Sequence, residues 1–131
     1  MNANYKRSKE WFLQAEYDLE TSKSLFKERK YIYAVFMCHL SVEKALKSLF
    51  VKSLEEIPPK THSLIFLLEK IGWTTPDDIY DFLFELNRVS IPTRYPDDLK
   101  KISKIYNRKV TEKILEKTAE VIKWLKAKLK E

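Results

Sequence analysis

Between Ala34 and Phe50 the chain reads AVFMCHLSVEKALKSLF, and this stretch carries two apolar stripes at helical spacing. Ala34, Cys38, Val42, Ala45 and Leu49 form one, at steps of three and four residues. Phe36, Leu40, Glu43, Lys47 and Phe50 form the other, on a neighbouring face. A helix that is apolar on two sides must be covered on two sides, which makes this the central helix of a bundle. Glu43 and Lys47 interrupt the second stripe. They stand four residues apart with the acid first, the order that favours an ion pair along a helix. Charges set among apolar side chains need a partner or an open groove, so the search for function starts with them.

The rest of the chain reads as helices around that one. A single glycine and 34% charged residues favour long helices over sheet and turn. Trp11, Phe12, Ala15, Leu19, Ser22, Leu25 and Phe26 give a first helix over residues 5–29, and Tyr31 to Tyr33 read as the tight link into the second. Pro58 and Pro59 end the central helix. Thr61 is the expected N-cap of a third helix with Leu64, Ile65, Leu67, Leu68 and Ile71, and Gly72 its C-cap. Thr75 with Pro76 repeats the start signal for a fourth, whose buried face is Phe82, Leu83, Leu86 and Val89. Pro92 and Pro96 should bracket a non-helical connection. Residues 97–108 allow either a short helix capped by the Asp97–Asp98 pair or an irregular segment. Ile114, Leu115, Val121, Ile122, Leu125 and Leu129 place a last helix over about 110–129. The expected fold is all-α: a four-helix up-and-down bundle with an additional short helix, in one domain over residues 1–131.

Composition narrows the chemistry. Two widely spaced histidines and one cysteine offer no zinc spacing, and one glycine leaves no glycine-rich phosphate loop. No cofactor or metal is implied. Cys38, on an apolar stripe, reads as a small buried hydrophobe. Neither a signal peptide nor a membrane-length apolar run is present, so a cytoplasmic location without membrane contact is expected. The net charge is +6, of which +5 falls in residues 96–131. There the lysines alternate with Glu112, Glu116 and Glu120, the pattern of a solvated helix face more than of an RNA-binding tract.

Four stretches together resemble one family. Ala34 and Phe36 followed by Ser41, Glu43, Lys44, Ala45, Leu46 and Lys47 resemble the core of HEPN domains. Ala15-x-x-Asp18-Leu19, Thr61-His62-Ser63-Leu64 and Thr93-Arg94-Tyr95-Pro96 match in the family's order. The resemblance spans residues 8–125 and implies a small prokaryotic helical protein. It also implies a minimal nucleotidyltransferase partner, often in a toxin–antitoxin module. HEPN ribonucleases cut RNA with an Arg followed four to six residues on by His, paired across a dimer. No arginine here is followed by histidine at that spacing, so a non-catalytic role is expected; a metal-independent RNA-cleaving toxin without the usual motif is the alternative.

The polar residues expected to bind a ligand are Glu43, Lys47, His62, Arg94 and Tyr95. Thr61-His62-Ser63 opens a helix, where free N–H groups favour an anion. Arg94 adds a rigid fork suited to phosphate or carboxylate. Together they would line a groove for a nucleotide phosphate or an acidic side chain. The competing arrangement is internal scaffolding, with Arg94 paired to Glu43 and His62 capping its own helix. Trp11, Phe12, Tyr31, Tyr33 and Phe36 exceed what the interior needs, which suggests a homodimer face on the first two helices.

Overall fold

The computed structural model of the chain describes residues 2–131, which form six α-helices and no strand. In order they are α1 (Ala3–Lys27), α2 (Tyr31–Leu54), α3 (Leu64–Ile71), α4 (Asp77–Arg94), α5 (Leu99–Ile105) and α6 (Arg108–Leu129). The four long helices are the expected bundle, and two short ones, α3 and α5, complete it. The double stripe of α2 has the predicted consequence, since α2 packs against each of the other five. Its first stripe, Ala34, Cys38, Val42, Ala45 and Leu49, is fully buried. Burial accordingly pushes the Cys38 thiol pKa up and keeps it protonated.

The α1–α2 pair is held by small residues at intervals of seven. Ser8, Ala15 and Ser22 on α1 face Ser48, Ser41 and Ala34 on α2, running in opposite directions. The Ser8 hydroxyl donates to the Ser48 carbonyl at 2.9 Å and the Ser48 hydroxyl to the Ser8 carbonyl at 2.6 Å. Ser41 donates to the carbonyl of Ala15 and Ser22 to that of Ala34, each at 2.7 Å. A repeat of seven is the signature of near-parallel helix packing, and side chains this short let the backbones approach. Every buried hydroxyl in the seam finds a carbonyl, which removes the cost of burying it. Lys44 reaches across the same pair to Asp18 at 2.9 Å, so Asp18 meets a basic group on α2 rather than water.

Several boundaries differ from the sequence expectation. Asn2 caps α1 two residues earlier, its side chain accepting from the Tyr5 amide. The link between the long helices is Glu28 to Lys30, with Arg29 at φ 62, and Tyr31 to Tyr33 already belong to α2. The N-cap of α3 is Ser63, not Thr61. Ser63 takes the extended conformation a cap needs and accepts from the Phe66 amide, while the Thr61 hydroxyl accepts from the Ser63 amide in the turn before it. Thr75 does not cap α4, whose N-cap is Pro76 without a side-chain cap bond. Gly72 ends α3 at φ 81, as its position implied.

The largest departure is at Pro92, which lies inside α4. A proline forfeits one hydrogen bond to the carbonyl four residues back. Near a C-terminus that loss is confined to the last turns, and the Tyr95 amide still bonds the Ile91 carbonyl at 2.9 Å. Helix α4 therefore runs on to Arg94 and fixes that residue's direction. Asp98 caps α5 by accepting from the Lys101 amide, which resolves the segment the sequence left open.

Candidate functional site

Glu43 is the hub of the site. Its side chain is buried, with Oε2 accepting from the Lys47 ammonium at 3.0 Å and Oε1 from His62 Nδ1 at 2.8 Å. A carboxylate can only accept, so His62 carries its proton on Nδ1 and presents Nε2 outward. The His62 side chain is 59% exposed. Lys47 is itself buried and lies 5.6 Å from the centre of the Trp11 ring. The acid and base of the second stripe are thus answered inside the protein. The accessible member of the network is the histidine.

A second histidine, which the sequence reading did not select, anchors the corner. His39 is fully buried, and its Nε2 meets the His62 backbone carbonyl at 3.0 Å. That carbonyl accepts, so Nε2 bears the hydrogen and Nδ1 keeps a lone pair. Nδ1 has no hydrogen-bond partner and faces Glu43 Oε1 at 4.0 Å. Burial lowers the His39 pKa to about 4; the Glu43 charge opposes that drop, and the charges of Arg94 and His62 reinforce it. At neutral pH His39 is an uncharged positioning group. From the other side, the Asn87 side chain on α4 accepts from the Leu64 amide at 2.7 Å. Residues 62–64 are therefore fixed by both α2 and α4. His39 was legible as the residue one turn before Glu43 on the same face.

Arg94 does not pair with Glu43. Its guanidinium lies over the Phe36 ring at 4.9 Å, a cation–π contact, and its Nε is buried without a hydrogen-bond partner. The internal scaffold expected from sequence is not realised, since Arg94 has no bond to Glu43 and Ser63, not His62, caps α3. Glu43, Lys47 and His62 are joined directly, Arg94 stands near enough to act on His39, and Tyr95 is 71% exposed. Among the described residues no group of acidic, histidine or cysteine side chains could hold a metal.

The five aromatic residues assigned to a dimer face differ in exposure. Phe12 is in the core, Trp11 and Phe36 are partly covered by Lys47 and Arg94, and Tyr31 packs on Phe26 at 5.5 Å. Only Tyr33 is largely open. Other exposed apolar residues lie on α1, at Tyr5, Leu13 and Tyr17, and on α4, where Tyr80, Phe84, Ile91 and Tyr95 share one side at helical spacing.

The arrangement of a small-residue helix pair, a third helix opening just after His62 and an arginine at the end of α4 agrees with the sequence comparison. The HEPN domain family model matches residues 8–128. The chain belongs to the HEPN domain family. Two solved structures extend the likeness to the HEPN fold as a whole. TT1696 from Thermus thermophilus superposes with a TM-score of 0.82 at 25% identity, over 93% of this chain and 98% of that one. ST0689, an archaeal HEPN homologue, gives 0.75 at 26% identity, over 94% and 98%. No curated protein sequence matches the chain. The HEPN helices here include none long and apolar enough to cross a membrane among the described residues.

Proposed function

We propose that this HEPN protein is a non-catalytic, cytoplasmic subunit that pairs with a second copy of itself and associates with a minimal nucleotidyltransferase in a toxin–antitoxin-like module. Its His62 corner, with Arg94, reads a nucleotide phosphate or an acidic group of the partner. The observation that carries the reading is the fate of the Glu43 carboxylate. It is satisfied internally by Lys47 and by His62, and so holds an exposed imidazole with one nitrogen free. That is the geometry of a fixed polar contact. The absence of the family's arginine–histidine spacing supports a binding role.

Pairing is assigned to the α4 stripe, which ends at Tyr95 beside the site. Light scattering at micromolar concentration should give twice the 15.7 kDa of one chain. Ile91, 72% exposed, can be changed without disturbing the core, and Ile91→Asp should return the mass to that of a monomer. A monomeric parent protein would contradict the pairing. Co-purification from the native host with a nucleotidyltransferase tests the second partner.

One observation favours a different chemistry. A buried carboxylate holding Nδ1–H while Nε2 faces solvent is also the arrangement of a general base. The second reading is accordingly a metal-independent RNA-cleaving protein that uses His62 and Arg94. Incubation with total RNA separates the two. Cleavage lost in both His62→Ala and Arg94→Ala establishes the enzyme, and intact RNA leaves the binding subunit.

A further inference from the structure

The charges gathered at the His62 corner are of two kinds. Glu43 and Lys47, both buried and 3.0 Å apart, neutralise one another. His62 and Arg94 have no such counterweight. The carboxylate that holds His62 is already matched by Lys47. Arg94 takes part in no ion pair among the described residues, and its Nε is buried without a hydrogen-bond partner. Its guanidinium rests on the Phe36 ring at 4.9 Å, and a ring without formal charge leaves the cation uncompensated. A donor buried without an acceptor is a cost that native proteins rarely leave standing.

His39 ties the two cations to one place. Its Nε2 donates to the His62 carbonyl at 3.0 Å, and the charges of His62 and Arg94 both act on its buried ring. The groups around His62 are thus Glu43, Lys47 and His39 from α2, with Arg94 from the end of α4. Neutral His62 is a poor partner for an anion. Glu43 accepts Nδ1–H at 2.8 Å, so Nε2 of the neutral ring carries a lone pair. A proton from solvent turns Nε2 into a donor, and the carboxylate behind the ring stabilises the imidazolium so formed. The corner then presents two uncompensated positive charges, on His62 and Arg94. A carboxylate or a phosphate diester brings one negative charge to meet them. A phosphate monoester brings close to two at neutral pH.

We propose that the His62–Arg94 corner selects a dianionic phosphate monoester, the terminal phosphate of a nucleotide, and takes up a proton on His62 Nε2 as it binds. This rests on the reading of the corner as an anion site and narrows it, since an acidic side chain or an internal diester would leave one of the two cations unmatched.

The test is NMR of the full chain, following the His62 and Arg94 side-chain signals at about pH 7 with adenosine monophosphate, its methyl ester and acetate. The methyl ester keeps the nucleoside and removes one negative charge. Adenosine monophosphate should saturate both signals at least about tenfold more tightly than the other two. Sulfate, dianionic throughout, separates the protein's proton from the ligand's own. Its affinity should fall between about pH 6 and about pH 9, with a limiting slope of about tenfold per pH unit. His62→Gln keeps a donor for Glu43 and does not titrate; it should bind sulfate at least about tenfold more weakly at about pH 6, and the slope should vanish. Arg94→Gln should weaken sulfate as well but keep the slope. Equal binding of adenosine monophosphate and its methyl ester, or a sulfate affinity that ignores pH, would overturn the proposal and leave the corner an anion site. No saturable shift at millimolar anion, or a slope that survives in His62→Gln, would overturn the anion site along with it.

Discussion

Glu43→Ala should lower the stability of the protein by about 3–5 kcal/mol, read as a fall in the denaturant midpoint at unchanged slope. The cost comes less from the lost contacts than from what they leave behind. Lys47 is buried and, among the described residues, its only charged partner is Glu43 at 3.0 Å. Without that carboxylate an ammonium is held among apolar side chains, with the Trp11 ring 5.6 Å away as its remaining electrostatic support. A cation–π contact is worth about 1–2 kcal/mol when desolvated, too little to compensate. His62 loses its anchor in the same step, so the corner at residues 61–63 loosens as well. Removing both charges should be milder. Glu43→Leu with Lys47→Leu leaves no buried charge and should recover most of the stability, since apolar replacements of buried ion pairs are often neutral. A double variant as unstable as Glu43→Ala would show that the cost lies elsewhere.

The second large effect is a dependence of stability on pH carried by His39. Unfolded, this imidazole takes up a proton near its ordinary 6.5; folded, it does so only at about 4. Between those values the unfolded chain binds more protons, so stability falls as the solution is acidified. The stabilisation is complete above about pH 6.5, is lost as pH drops towards 4, and about 2 kcal/mol of it is gone at about pH 5. Glu43, His62 and Arg94 are the charges that face His39, and the first of them works against the drop. His39→Gln keeps a donor for the His62 carbonyl and does not titrate. Denaturation curves of that variant should show a flatter slope between about pH 7 and pH 5. An unchanged slope would mean that His39 is already charged in the folded protein.

Which parts of this were legible in the sequence follows from the physics of each signal. The central position of α2 was, because two stripes on one helix admit a single packing solution. Gly72 was, because a positive φ leaves few alternatives. Pro92 misled, since a proline excludes the middle of a helix but not its closing turn. Thr61 and Ser63 have the same capping chemistry, and the choice between them was made by the Asn87 side chain receiving the Leu64 amide from α4. That is a tertiary contact, invisible to local reading. The serine seam could have been found: Ser8, Ala15 and Ser22, then Ala34, Ser41 and Ser48, repeat at seven in both helices. The placing of exposed apolar groups was the weakest inference. A count of aromatic residues does not say which are covered by a lysine or arginine stem, as Trp11 and Phe36 are.

The two halves of the candidate site differ in the same way. Glu43, Lys47 and His39 lie on one helix at one-turn spacing, so their proximity follows from helix geometry alone. His62 joins them only because α3 begins where it does. Arg94 approaches from the end of a helix that a proline should have shortened, and it finds an aromatic ring rather than a carboxylate. Three of the C-terminal lysines find partners on folding. Lys117 meets Asp78 and Glu120, Lys126 meets Glu16, and Lys128 lies over Trp73 and Trp124.

The central claim is that a buried carboxylate holds the His62 Nδ1–H, so that its outer nitrogen, on taking up a proton, can donate to an anion. The most direct measurement is a long-range proton–nitrogen NMR spectrum of the histidine rings, recorded at alkaline pH and again at neutral pH with inorganic phosphate. The account predicts the Nδ1–H tautomer for His62 and a phosphate-dependent shift of its Nε2 together with the Arg94 side-chain signal. An Nε2–H tautomer, or phosphate that leaves both signals in place, would contradict it.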